Sequence, residues 1–302
     1  MSDQMSTEHH PVIEAPAAAR GRLAAYVALT KPRIIELLLI TTIPSMVLAA
    51  GAWPGTWLVV ATLIGGTLSA AGANTLNSYL DRDIDQVMRR TRHRPLARHE
   101  VPPQNALVLG VALGLAGLIW LGLTTNWLAA SISTAALLFY VFVYTMALKR
   151  RSAQNIVIGG AAGAAPALVG WAAVTGTLGV PAWALFLIVF YWTPPHFWAL
   201  ALRYRDDYAR AGVPMLPVVA GTVATTRRML LYTALVVGVS LVLVPLGGMS
   251  WVYLVAATVL GAWFLWDTWR VHRAPERAMK LFTTSNTYLA ALFASVMLDV
   301  LV

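Results

Sequence analysis

The 302-residue sequence contains no cysteine. That excludes disulfides, thiolate metal sites, cysteine nucleophiles and covalent c-type haem attachment. Charge is also scarce: charged residues make up 12% of the chain against 58% hydrophobic, and the mean hydropathy is +0.67. No ordinary soluble domain has that balance. Acidic groups are the scarcest, 13 against 22 Lys and Arg. The resulting net charge of +9 does not call for a nucleic-acid partner, because basic loops are what orient helices in a bilayer. The first twenty residues lack the basic start and apolar run of a cleavable signal, and residues 1–22 read as a disordered tail.

What the chain has in abundance is long apolar runs. Segments close to the roughly 20 residues that cross a bilayer recur at 34–51, 56–79, 105–124, 127–147, 155–174, 181–202, 228–247, 250–269 and 283–301. The expectation is an all-α polytopic membrane bundle of nine transmembrane helices over residues 23–302, with Pro166, Pro194 and Pro195 as places where a span could kink or break. All 22 Lys and Arg fall before span one or after spans two, four, six and eight. This single-sided distribution predicts a cytoplasmic N-terminus and an outer C-terminus. The opposite connections carry tryptophans and no formal charge, as an interfacial aromatic belt does. Long basic connections follow spans two and six, so the helices repeat with a period of four and a site is expected between two halves.

The few acids are grouped. In Asn77-Ser-Tyr-Leu-Asp81-Arg-Asp83-Ile-Asp85, spacing by four puts Asn77, Asp81 and Asp85 on one helical face. Two carboxylates at that spacing repel unless a cation lies between them, and with an amide oxygen they make a hard-oxygen set suited to Mg²⁺. Asp83 points elsewhere and is expected to pair with Arg82, Arg89 or Arg90. A second group, Tyr204-Arg-Asp206-Asp207-Tyr-Ala-Arg210, follows span six. Two acidic sites at one membrane face can hold divalent ions around a diphosphate, with Asp206 or Asp207 as a further metal ligand. Arg94, Lys149, Arg150 and Arg210 are candidates to neutralise phosphate oxygens. Asn155 and Tyr204 join them as polar site residues. His196, beside Pro194 and Pro195 in span six, is expected to face the interior, as either a helix-packing hydrogen bond or a substrate contact. Glu36 is expected to pair with Lys31 or Arg33.

These motifs resemble the UbiA superfamily of intramembrane prenyltransferases: the Asn77, Asp81, Asp85 face, the Lys149-Arg150 turn and the acidic loop after span six. Within it, the runs through Met88-Arg-Arg-Thr-Arg-His-Arg94-Pro-Leu, Trp192-Thr-Pro-Pro-His196-Phe-Trp and Asp206-Asp-Tyr-Ala-Arg-Ala-Gly resemble the branch that farnesylates haem, as do Thr30-Lys-Pro-Arg33 and Ser285-Asn-Thr-Tyr288. Where many superfamily members carry a second Asp-x-x-x-Asp, Arg210 stands four residues beyond Asp206 and Ala211 beyond Asp207. The resemblance implies Mg²⁺ as cofactor, farnesyl diphosphate and haem b as substrates, and a bacterial inner-membrane location. It also implies haem O as product, a downstream haem A synthase as receiver, and a place in haem-copper oxidase assembly. Transfer to a phenolic acceptor and secondary transport are the rival readings. Transport needs ionisable groups near the bilayer midplane, whereas here they gather at one mouth.

Overall fold

The computed structural model describes residues 21–302, apart from the side chains of residues 33, 34 and 36–39. The expected tail over 1–22 lies almost wholly outside the described residues, and so does the expected pairing of Glu36. The described chain is helical, with no strand. A short helix α1 (Arg22–Leu29) leads into α2 (Pro32–Ala50), α3 (Thr56–Leu80), α4 (Arg82–Val87), α5 (Pro103–Thr124) and α6 (Trp127–Leu148). The second half comprises α7 (Asn155–Thr175), α8 (Val180–Arg203), α9 (Arg205–Arg210), α10 (Leu216–Val219), α11 (Gly221–Gly247), α12 (Trp251–Arg273) and α13 (Ala278–Leu301).

Eight helices among the described residues are long and apolar enough to cross a membrane, the last of them running Pro275–Leu301 and ending in α13. The first of the nine expected spans falls on α2, where only Ile40–Ala50 counts as a shorter apolar helix, although all 19 residues of α2 give about 28 Å of helix at 1.5 Å per residue. That length matches a hydrocarbon core of about 30 Å. Neither α7 nor α8 breaks at its prolines. Prolines are tolerated in membrane helices where the surrounding bundle supports the backbone, and Pro194 and Pro195 are both buried in the bundle.

Lipid, not water, is the solvent that this surface suits. Along α5 the outward positions Val108, Val111, Leu115, Ile119 and Leu123 recur every three or four residues, and all are exposed. At the end of the bundle opposite the basic connections, Trp53, Trp57, Trp127, Trp183 and Trp251 are exposed, where an aromatic belt belongs.

Consecutive spans pack as neighbours, and α13 closes the bundle by packing on α12, α8 and α2. α3 and α5 approach each other closely. A Cβ on Gly72 would lie 2.8 Å from both the Gly110 carbonyl oxygen and the Gly114 nitrogen, so backbone meets backbone there. Without a hydrophobic driving force between helices in lipid, such close van der Waals contact is a main source of association. At the basic end, Ala25 and Leu29 of α1 pack on Leu96, Val101 and Ala106, which fixes the connection between α4 and α5 over the bundle mouth. The bundle encloses a cavity of about 760 Å³ lined by α2, α3, α6, α7, α8 and α13, and so by both halves.

Candidate active site

The carboxylates lie where α3 ends. Asp81 is the junction residue between α3 and α4, yet the amide of Asp81 still bonds the Asn77 carbonyl at 2.9 Å and that of Asp85 the Asp81 carbonyl at 2.9 Å. The i to i+4 bonding therefore runs through the junction and keeps the three side chains in line. All three are buried, Asp81 completely.

Each is held by a cation from another segment. Lys31 donates to Asn77 Oδ1 at 2.7 Å, Lys149 to Asp81 Oδ2, and one Arg94 nitrogen to both oxygens of Asp85 at 2.9 Å. Asn77 Nδ2 links the set, donating to Asp81 Oδ2 at 2.7 Å and to Thr145 Oγ1 at 3.1 Å. Burial opposes the charge on Lys149 but the Asp81 carboxylate favours it, and the lysine is held above its ordinary range. Lys31 is held well below the usual lysine range, by burial first and by the neighbouring Arg94 second. Its backbone is left-handed at φ 53 and ψ 63, and the preceding carbonyl, of Thr30, accepts a 3.0 Å bond from Asn74 on α3.

The donor chemistry fits a hard divalent ion. Asn77 and the two aspartates present only oxygen toward the cations, and Asp81 Oδ1 is buried without a hydrogen-bond partner. Among the described residues, no group of three His, Cys, Asp or Glu side chains closes on a common centre. Asp207 is buried, accepting from the Arg90 amide at 3.3 Å and from Arg210, whereas Asp206 is exposed. Arg210 therefore reaches its own acidic group. Arg90 also donates to Tyr208 Oη at 3.3 Å and lies 5.9 Å from the ring centroids of both Tyr204 and Tyr208. It joins the two acidic connections across the mouth.

Some expected residues lie elsewhere. Arg150 grips Asp83 through both oxygens at 2.6 Å, on the exposed rim. Asp83 does point away from the other two acids, but its partner is Arg150 rather than Arg82, Arg89 or Arg90. Those hydrogen bonds hold its carboxyl down to about 2. Asn155 is completely buried and donates to the Lys149 carbonyl at 3.2 Å, which makes it a support for Lys149 and not part of the cavity wall.

His196 does line the cavity. Its ring is stacked between Trp192, at 4.2 Å, and Phe282, at 4.3 Å, and its Nδ1 lies 2.8 Å from Ser285 Oγ. The cavity thus has a polar, cationic mouth at Asn77 and Asp85 and an aromatic, largely apolar interior. Lys31, Arg90, Tyr140, Tyr144 and Tyr208 line it too. None of these five was expected at the site from the sequence, although Lys31, Arg90 and Tyr208 lie within the motifs that carry the family resemblance.

A polar mouth that gathers cations around hard oxygens can bind and neutralise an anionic leaving group, while the apolar interior takes a hydrocarbon chain. The chain is similar to known proteins. A model of the UbiA prenyltransferase family matches residues 38–293. A protoheme IX farnesyltransferase of Parafrankia sp. (strain EAN1pec) is 55% identical over 284 residues, covering 92% of this chain and 91% of that protein. Among solved structures, a UbiA homologue from Aeropyrum pernix K1 superposes with a TM-score of 0.71 at 19% identity, covering 89% of this chain and 98% of that one. A UbiA homologue from Archaeoglobus fulgidus bound to GPP and Mg²⁺ gives a TM-score of 0.59 at 17% identity, covering 90% of this chain and 99% of the other.

Proposed function

The chain belongs to the UbiA prenyltransferase family, and from that premise we propose how it carries out its reaction, transfer of a farnesyl group from farnesyl diphosphate to a vinyl group of protohaem IX (haem b), giving haem O. The observation that carries the reading is the in-line set Asn77, Asp81 and Asp85, each paired with a cation, at the mouth of an apolar cavity of about 760 Å³.

Asn77, Asp81 and Asp85, with Asp207, would hold Mg²⁺, which when bound adds positive charge against the departing pyrophosphate. Lys31, Lys149 and Arg94 are already aimed at this point and supply donors to the diphosphate oxygens that the metal leaves open. The farnesyl chain lies inward, along the apolar wall. The bond between C1 and the bridging oxygen breaks with both electrons leaving on pyrophosphate, and the positive charge spreads over C1 and C3. The π electrons of a haem vinyl group form the new carbon–carbon bond. Water then takes up the positive charge left beside the porphyrin and loses a proton to solvent, giving a hydroxyethylfarnesyl side chain. Other water is kept from the first cation by the apolar lining. His196, on the cavity wall and oriented by Ser285, is the residue placed to position the haem.

The charge asymmetry supports a mouth that faces the cytoplasm, and the likeness to haem-farnesylating relatives supports a bacterial inner-membrane location with the product passing to a downstream haem A synthase. The test is to supply membranes containing the protein with haem b, farnesyl diphosphate and Mg²⁺ and to analyse the pigment. Conversion to the farnesylated haem, abolished by EDTA and restored by Mg²⁺, supports the reading. Conversion that ignores EDTA overturns the metal's part in it.

A further inference from the structure

The inner half of α6, Phe139–Leu148, is wound as a π-helix. A wide turn is closed by the backbone bond from Lys149 N to the Tyr144 carbonyl, i to i−5, at 2.8 Å, and the Thr145 hydroxyl donates to the carbonyl five residues before it, of Tyr140, at 2.8 Å. The winding decides which residues share a face. In an α-helix, Lys149 lies about two and a half turns beyond Tyr140 and so on the opposite side. In the wider winding, nine residues make about two whole turns, and Tyr140, Tyr144, Thr145 and Lys149 come to one face. That face is the one the site uses. Thr145 accepts from Asn77, Lys149 bonds Asp81, and Tyr140 and Tyr144 line the cavity, their rings stacked at 5.2 Å and 22°. Room is made for the second ring by Gly159, where a Cβ would come within 2.3 Å of Tyr144 Cδ2.

Each ring is therefore one π turn further into the membrane than a group that holds the polar mouth: Tyr140 below Thr145 and Asn77, Tyr144 below Lys149 and Asp81. The reacting carbon of an allylic diphosphate is joined to its phosphate oxygen by one bond, so it lies at this level, just inside the mouth. We propose that the Tyr140–Tyr144 stack is the catalytic wall that faces the allylic cation and stabilises it through the ring faces, a residue role that rests on the farnesyl-transfer reading above. A cation over an aromatic face gains most where water is excluded, and it gains only once the charge has formed. The pair therefore acts on the breaking of the C1–O bond and not on diphosphate binding. Other π-bulges inside α-helices also coincide with functional sites.

The experiment uses the full-length protein in detergent or nanodiscs and reads two quantities: the single-turnover rate of haem farnesylation, and Mg²⁺-dependent affinity for inorganic pyrophosphate. Tyr144→Leu should slow turnover about a hundredfold, Tyr140→Leu at least tenfold, and both should keep pyrophosphate affinity within about threefold. Tyr144→Phe should restore most of the rate lost in Tyr144→Leu, because the ring and not the hydroxyl carries the effect. Stepwise fluorination of a phenylalanine at position 144, which drains the ring face at nearly constant shape, should lower the rate with each fluorine. A rate indifferent to fluorination, or a pyrophosphate affinity that falls in parallel with turnover, overturns the proposal and makes the rings structural. A parent protein with no Mg²⁺-dependent farnesylation at all overturns the underlying reading instead.

Discussion

Lys149, at the end of α6, donates to the carboxylate of Asp81, the junction residue between α3 and α4 and a side chain with no exposed surface. The pair ties the two helices together at the mouth of the cavity. Removing one partner from a buried ion pair leaves an uncompensated charge and costs about 3–5 kcal/mol, far more than removing both. Lys149→Met should therefore lower stability by about 3 kcal/mol, and adding Asp81→Asn should recover most of it while turnover stays lost. Thermal unfolding of the detergent-solubilised single and double variants measures the coupling. Strictly additive losses would show that the pair is not linked as the structure has it.

Asn77 and Asp85 line the cavity mouth and Asp81 is buried beside them, bonded to Asn77, whereas Asp83 is tied to Arg150 on the exposed rim. Asp81→Asn and Asp85→Asn should each reduce turnover at least about a hundredfold in protein that still inserts, since a metal ligand acts on the ionising step. Asp83→Asn should cost less than about fivefold, because it breaks a rim contact of the kind that contributes little. Turnover measured in membranes, normalised to inserted protein, makes the comparison, and equal losses at all three positions would remove the basis for the shared face.

The acidic face was legible because it depends only on spacing by four, and that bonding survives through the junction at Asp81. The spans were legible for a similar reason, since a bilayer fixes their length and the basic residues mark one end. The roles of Tyr140 and Tyr144 were not. Counting 3.6 residues per turn puts Tyr140 opposite Lys149, and nothing in Phe139–Leu148 announces the i to i−5 winding that unites them. Lys31 read as a topology charge, a partner for Glu36 and part of the Thr30-Lys-Pro-Arg33 motif, but not as a partner of Asn77, because that reach depends on a left-handed backbone at a non-glycine position, which is uncommon. Arg150 and Asn155 carry the polar chemistry a phosphate site needs. The fold spends one on Asp83 and the other on the Lys149 carbonyl.

The contact between α3 and α5 leaves no room for a methyl group at Gly72, where a Cβ would meet backbone atoms of Gly110 and Gly114 that cannot rotate away. Gly72→Ala should force the helices apart and lower stability by about 1–3 kcal/mol, the range for overpacking. Gly66→Ala, on the same helix with open space around it, should be nearly neutral. Comparing unfolding temperatures of the two variants checks this; an equal response would mean that helix propensity, not contact, governs both.

The distribution of all 22 Lys and Arg predicts an orientation that accessibility labelling can test. A tag placed after Val302 should be reached from outside the cell, while probes near Arg92 or Arg273 should be reached only from the cytoplasm. A cytoplasmic tag at Val302 would mean that the number of crossings is even and that α2 does not span.

His196 is buried on the cavity wall, with Nδ1 held by Ser285 and its ring clamped between Trp192 and Phe282. Fixing one ring nitrogen by hydrogen bonding is how proteins aim the other at a metal, and haem iron commonly accepts an imidazole. His196→Ala should therefore weaken haem use at least tenfold, and the haem absorption spectrum of the purified protein should shift. The Asn77, Asp81 and Asp85 mouth belongs to α3 and α4, and His196 to α8. Mg²⁺-dependent pyrophosphate affinity should therefore remain within about twofold of the parent. Ser285→Ala, which releases only the orienting bond, should show the same spectral change in milder form. An unchanged spectrum and product yield in His196→Ala would reduce the histidine to a packing contact, and the acceptor's position would then have to be set by the aromatic wall of α8 and α13 instead.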